Sequence, residues 1–567
     1  MPSLNSSELI TLLEKNKLST PKELAAIEEY SKTNNLSFSD AIVQKGIVTE
    51  EALGNLLAGH YQLPFMGLSK LTIPPEAFNS IPFTQADKHK MVVFSRDANL
   101  LKIATCRPPI DSEILKNIAK KTGLKPEVYY STEADIENVL INNRQDLQST
   151  FEKLVKEGIV TATNLDGSDD PPVEKIVDLL IETAYQEKAS DIHIEPQEKN
   201  AIIRFRIDGS LNDVLTVPKI LHDRLITRIK VMSSLRTDEH LSAQDGKIKF
   251  HSKEIYFDLR VSIIPIVDGE KVVMRLLTSN IGAFGLADLG MSEKDMEKVK
   301  RAFTKSYGMF LSTGPTGSGK TSSIYSILKI LNAREKNITT IEDPVEYRIK
   351  GANQIQVNNR TNLTFANGLR SILRQDPNII FVGEIRDNET AGIAINASLT
   401  GHLVLSTLHT NTAAAAIARL IDMEVEPFLV ASTVSVIVGQ RLVRRICDKC
   451  RVSFTITRAE LLKYLSEDMI TKHYIPVGKA KEIRVYKGKG CKFCHNTGYV
   501  GRIGIFEVLE VTKKIRELIG HHADTDEILE AAKKEGFNSM QDDGLDKITK
   551  GFTTIEEVLR VTKNELE

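Results

Sequence analysis

The run MFLSTGPTGSGKTSSIYSILKIL, residues 309–331, constrains the fold more than any other part of the chain. Its apolar start predicts a buried strand and SSIYSILKIL predicts a helix. Between them Gly314, Pro315, Thr316, Gly317, Ser318, Gly319, Lys320, Thr321 and Ser322 hold the G-x-x-x-x-G-K-[ST] spacing. Glycines there let backbone N–H groups wrap phosphate oxygens, Lys320 supplies a point charge for β- and γ-phosphates, and Thr321 can ligate Mg2+. An accidental Gly-rich turn would not need a strand before it and a helix after it.

Three further runs fit the same sheet. IIFVGEIRD ends in Glu384, Arg386 and Asp387, as expected where a buried parallel strand delivers a carboxylate to the phosphate edge. TTIEDPVEY gathers Glu342, Asp343 and Glu346 at another strand end, either to position and deprotonate water or as a solvated acidic turn. GHLVLSTLHTN carries His402 and His409, and two readings stand: satisfied core histidines, or sensors of the γ-phosphate state. Residues 390–418 hold no Asp, Glu, Lys or Arg and are long enough to suggest a membrane span. Asn396, His402, His409, Asn411 and five threonines would each need a partner in lipid, so the segment reads as buried protein core.

At about 100 to 200 residues per domain, 567 residues imply three or four domains. With 41% hydrophobic and 26% charged residues, bulk disorder is excluded. Lys and Arg total 74 against 75 Asp and Glu, so no global field draws the chain to nucleic acid or anionic membrane, and no basic-aromatic stripe for DNA is present. The N-terminus lacks the basic and apolar regions of a secretory signal.

Five cysteines are too few for a disulfide scaffold. Cys447-x-x-Cys450 and Cys491-x-x-Cys494 form two knuckles, the pattern by which four thiolates close a tetrahedral Zn2+ site. Four protein ligands leave no open position, which makes the metal structural; a redox C-x-x-C pair is the minor alternative. Cys106 reads as a small buried hydrophobe. This usage suggests a reducing compartment, the cytoplasm.

Residues 1–150 form an N-terminal region, helical to about residue 64 with two similar blocks restarting at Ser19-Thr20 and Thr49-Glu50, then a small α/β unit. Residues 151–172 read as a linker. In 173–279, Ile176, Val177, Leu180, Ile181 and Ala184 recur at helical spacing, strand alternation puts Ile203, Phe205 and Ile207 on one face, and Asp208-Gly209 reads as a hairpin turn. A second linker, 280–291, precedes residues 292–567, which contain the cysteine segment at about 440–505.

GPTGSGKTS, TIEDPVEYRIKGANQIQVN, LRSILRQDPNIIFVGEIRD and LTGHLVLSTLHTN, in this order and spacing, resemble the Walker A, Asp box, Walker B and His box of the secretion ATPases of type II secretion and type IV pilus assembly. The resemblance extends through ASDIHIEP, IRFRIDG, QDGKI and DLRVS upstream and TIEEVLRVT downstream. It implies an α/β multidomain protein: a RecA-like P-loop ATPase core, an upstream PAS-like domain, and a homohexameric ring binding ATP and Mg2+ at domain boundaries. Glu346 would be the general base, Glu384 the Walker B carboxylate at Mg2+, and His402 and His409 the His-box pair. Arg260 and Arg275 match arginines brought to the phosphates by the upstream domain, and are equally readable as structural strand residues.

Where the family carries E-[RK]-R-L-P-Q-D-G, this chain has Glu239, His240, Leu241, Ser242 and Ala243 before Gln244, which removes an arginine-dependent contact. The tetracysteine segment resembles assembly-type rather than retraction-type members. Residues 1–150 more loosely resemble the family's N-terminal domain, some versions of which bind cyclic di-GMP. Ser37, Phe38 and Ser39 replace the R-L-G of those versions and His60 their Gln, which argues for partner docking instead. The resemblance thus implies a cytoplasmic ATPase motor, peripheral to the inner membrane through a platform protein and pilus-alignment proteins. Type II secretion is the alternative machine; a non-motor nucleotide scaffold and a DNA translocase are the remaining classes.

Overall fold

The computed structural model describes residues 6–562 except 17, 35–37, 69, 70, 72, 79, 98, 141–152, 155, 157–172, 253, 254, 278–284 and 474–481. The chain divides into two compact units, 1–276 and 277–567. The expected linker 151–172 lies mostly outside the described residues, as do Ser37 and the first part of 280–291.

The first unit begins with helices Ser6–Lys15, Pro21–Asn34, Phe38–Gln44 and Glu50–His60, which bury Leu9, Leu13, Leu24, Ile27 and Ile42 among themselves. Both restart points are capped. Thr49 accepts from the Ala52 N–H at 3.2 Å, and Thr20 and Glu23 bond reciprocally, with the Thr20 N–H donating to the Glu23 carboxylate at 2.8 Å. Strands β1 (Met91–Arg96), β2 (Leu100–Thr105) and β3 (Lys125–Tyr130) follow; β2 and β3 are parallel, so helix Ser112–Thr122 makes the crossover.

A six-stranded sheet completes this unit: β4 (Asp191–Pro196), β5 (Asn200–Ile207), β6 (Ser210–Pro218), β7 (Gln244–Ser252), β8 (Ile255–Ile266) and β9 (Gly269–Leu277), in the order β6-β5-β4-β9-β8-β7. Helix Val173–Gln186 buries Ile176, Val177, Leu180, Ile181 and Ala184 in the core that also holds Ile203 and Phe205 of β5. Asp208 and Gly209 turn the β5–β6 hairpin at φ of 51° and 88°.

The second unit is built on β10 (Gly308–Thr313), β11 (Ile338–Glu342), β12 (Ala352–Gln356), β13 (Ile379–Val382), β14 (Leu403–Leu408), β15 (Val434–Ile446), β16 (Arg451–Thr457), β17 (Glu482–Gly488) and β18 (Tyr499–Glu510). The main sheet runs β12-β11-β13-β14-β10-β15-β18, with every pair parallel except β15–β18. Every residue of β10, β13 and β14 is buried, because helices Glu293–Phe303 and Lys320–Leu331 cover one face while Phe365–Ile372, Asn388–Leu399 and Ala415–Asp422 cover the other. The uncharged segment 390–418 is therefore a helix, the central strand β14 and the start of a second helix. Among the described residues no helix is long and apolar enough to cross a membrane.

Candidate functional site

Parallel strands end on one edge, and the register sets what meets there. Thr313 of β10 pairs with Leu408 of β14, and Val382 of β13 with Ser406, so Gly314, Glu384 and His409 leave the sheet at nearly one level. The loop after β10 is shaped by its glycines: Gly314, Gly317 and Gly319 have φ of 145°, 78° and 89°. A Cβ on Gly314 would lie 2.4 Å from the Gln440 carbonyl oxygen, and one on Gly319 2.7 Å from Gln440 Nε2. Gln440 is thus the wall of the loop, fixed by the Ser323 hydroxyl donating to its Oε1 at 2.7 Å. Sequence reasoning missed it; the only signal was a lone amide within the apolar run VIVGQRLV.

Gly319 caps helix Lys320–Leu331 without a side-chain acceptor, which leaves the first-turn N–H groups for a phosphate. Lys320 is buried and donates to the carbonyls of Gly314 at 2.7 Å and Pro315 at 3.0 Å. Burial lowers its pKa to about 8 despite the opposing charge of Glu384. Ser318 Oγ is buried with no hydrogen-bond partner, so the loop carries an unused hydroxyl as well as unused N–H groups. Thr321 and Ser322 are half-buried in the first turn, while Pro315 and Thr316 are exposed.

Glu384 contacts Arg386, and its Oε2 lies 3.3 Å from His409 Nε2. His409 titrates below the ordinary imidazole range, first through burial and then through the Lys320 charge. Glu342 differs in kind. It is buried and accepts from the Tyr325 hydroxyl, from Thr340 Oγ1 at 2.6 Å and from Gln354 Nε2 at 3.1 Å; burial raises its pKa against these bonds. Its oxygens hold the sheet edge to the helix behind it, whereas Asp343 is exposed and Glu346 half-buried on the open side.

The two histidines flank a strand and differ in surroundings. His402 precedes β14 and His409 follows it, so the six strand residues separate them by roughly 20 Å within one chain. His402 is occupied in the fold: its Nδ1 lies 3.0 Å from the Ala397 carbonyl and its own carbonyl accepts from the Gly308 N–H at 3.2 Å. Arg260 and Arg275 belong to the first unit, on β8 and β9. Arg275 Nε donates to Asp191 Oδ1 at 2.9 Å, and Arg260 lies opposite Lys247 on β7. At the family departure, Leu241 is 90% exposed. The loop is held instead by Glu239, which accepts from the N–H groups of Leu241 and Ser242, by Lys230 donating to the Glu239 carbonyl, and by His240 Nδ1, 2.8 Å from Glu270.

The four cysteines converge. Cys447 and Cys450 follow β15, Cys491 and Cys494 lie between β17 and β18, and all four sulfurs fall within 4.8 Å of one another. Separations of 3.9 Å (Cys447–Cys491), 3.8 Å (Cys450–Cys494) and 3.6 Å (Cys491–Cys494) fit the edge of about 3.8 Å of a tetrahedron of sulfurs around zinc, and are far beyond a disulfide bond. N–H groups of Cys491 and Gly498 donate to Cys494 Sγ at 3.2 and 3.3 Å; burial opposes its ionisation, but these donors bring the thiol down to about 7, whereas burial pushes the Cys447 and Cys450 thiols up. Such N–H···S bonds favour a thiolate, the form a metal takes.

A parallel sheet with a phosphate loop at its edge, an acid at the end of a strand not adjacent to the loop strand, and a further strand between them defines a RecA-like P-loop ATPase. A model of type II/IV secretion system proteins matches residues 166–560, and one of the MshEN domain matches residues 61–150. The chain belongs to the type II/IV secretion system protein family. It is 37% identical to the type IV pilus assembly ATPase PilB of Myxococcus xanthus over 98% of both chains. It is 40% identical to type II secretion system protein E of Aeromonas hydrophila over 87% of this chain and 98% of that one. The X-ray structure of the Legionella pneumophila ATPase DotB, at 21% identity, has the same core fold with a TM-score of 0.51, covering 71% of this chain and 98% of that one.

Proposed function

We propose that this chain is the cytoplasmic motor of type IV pilus assembly, working as a homohexamer on an inner-membrane platform. The observation that carries this reading is the similarity to a pilus assembly ATPase over 98% of both chains, which includes the N-terminal third. In it the P-loop N–H groups and Lys320 bind the ATP phosphates, and Glu346 accepts a proton from the attacking water. Thr321 and Glu384 would hold Mg2+, whose charge offsets that of the phosphates; hydroxyl and carboxylate oxygens are the donors this hard cation prefers. The same reading assigns Arg260 and Arg275 to the charge that develops on the phosphates and Asp343 to the acidic edge, while Glu342 holds that edge to the helix behind it. Cys447, Cys450, Cys491 and Cys494 would hold a structural Zn2+.

Type II secretion is the second reading. It is favoured by 44% identity to type II secretion system protein E of Pseudomonas aeruginosa over 71% of this chain and 78% of that protein. Deletion of the gene in its own host separates the two: loss of surface filaments with normal enzyme secretion supports pilus assembly, and the reverse supports secretion. ATP binding without turnover, even at the platform, would leave a nucleotide scaffold.

A further inference from the structure

Residues 441–502 contain fifteen lysines and arginines against five aspartates and glutamates, within a chain whose totals are 74 and 75. The charge of a near-neutral protein is therefore strongly segregated into the cysteine module. Internal pairing accounts for part of it: Arg444 with Glu557 at 2.7 Å, Arg445 with Asp448 at 2.9 Å, and Arg458 with Glu467. A zinc ion held by four thiolates would carry a net charge of −2 and offset two more.

Three lysines of the module lie on its surface, whatever their partners. Lys449, Lys487 and Lys489 are exposed, and the Lys489 N–H donates to the Cys450 carbonyl at 3.0 Å, so Lys449 and Lys489 flank the same knuckle. Lys487 pairs across the ribbon with Val452 and sets its ammonium 5.0 Å from the centre of the Phe454 ring. Phe454 is 39% exposed under this lysine, so the apolar side chain within the patch is roofed rather than offered as a wedge for a bilayer. Lys487 and Lys489 stand two positions apart along the extended chain, roughly 7 Å, which is also the repeat of side chains on one face of an extended peptide.

We propose that this face of the cysteine module is a docking surface for an extended acidic segment of a partner protein. Alternate carboxylates of that segment face Lys487 and Lys489, with Lys449 at its end and the Phe454 ring beneath. The reading depends on the module's charge and not on which filament the motor serves.

The test measures fluorescence anisotropy of a labelled peptide of alternating Glu and Ser with the full-length protein, beside sedimentation with phosphatidylglycerol vesicles. The expected result is peptide binding that weakens with salt and falls at least about tenfold in Lys487→Gln/Lys489→Gln, with zinc content and ATP hydrolysis unchanged. Adding Lys449→Gln should lower it further. Equal peptide affinity in the variants overturns the proposal. So does binding of the wild type to vesicles without binding to the peptide, which would assign the patch to a membrane surface.

Discussion

His409 Nε2 lies 3.3 Å from Glu384 Oε2, at the end of β14 opposite to His402. The two histidines should therefore differ on mutation. His409→Ala is expected to lower kcat by about 10²-fold with little change in ATP affinity. His402→Ala should leave kcat within about twofold and cost on the order of 1 kcal/mol of stability from the lost Ala397 contact. Steady-state phosphate release and thermal melting of both variants check this, and equal kinetic losses would reject it.

Protonation of His409 is confined to acid because burial and Lys320 hold its pKa below the ordinary value of 6.5. Activity carried by the neutral imidazole should be constant between pH 7 and 8 as far as His409 is concerned, and fall as the pH drops below its folded pKa. The acid limb of the kcat profile should weaken in His409→Gln.

Lys320 has the opposite sensitivity. With a pKa lowered to about 8, part of the population is neutral at pH 8 before nucleotide arrives, and phosphate oxygens favour the charged form. Binding of ATP at pH 8 should take up a fraction of a proton, read by calorimetry in buffers of different ionisation enthalpy. Lys320→Ala should remove the uptake and reduce turnover by at least about 10²-fold with the fold intact. Glu346→Gln should bind ATP without turnover.

Glu557 supplies a stability prediction at acid pH. Burial raises its pKa, but Arg560 and Arg444 overcome this and hold it at about 2 against an ordinary 4.5. Its contribution, on the order of 3 kcal/mol, is complete above pH 4.5 and lost as the pH falls towards 2. Glu557→Gln should melt lower at pH 7 and converge with the wild type near pH 2.

Removal of zinc by chelation, or Cys491→Ser, should abolish one metal equivalent per chain and lower the melting temperature of the second unit. Metal analysis beside calorimetry checks both; unchanged melting with no zinc bound would reject a structural centre.

The motifs that were legible in the sequence were local ones. The phosphate loop and the cysteine knuckles each announce themselves within ten residues, because the chemistry demands fixed spacings along the chain. Buried strands such as FLS and IIFV were legible for the same reason. Gln440 was not, since its role depends on β15 lying beside β10, a pairing across more than a hundred residues. The strand that parts His402 from His409 was legible, but the bond of His402 to the Ala397 carbonyl, made by the fold, was not. Glu342 read as a site acid because nothing local reveals that Tyr325, Thr340 and Gln354 already occupy it.

The middle of β15 walls the phosphate loop through Gln440, and six residues later the same strand ends at Ile446, beside Cys447. Over that length, about 20 Å, it is bonded to β18 nearly without interruption, so it cannot flex in the middle without giving up ladder hydrogen bonds. The pair behaves as a stiff bar with the phosphate loop at one end and the cysteine knuckles at the other. A tilt imposed at the loop would be carried whole along this bar to a surface well away from it, as a lever carries a small rotation to its tip.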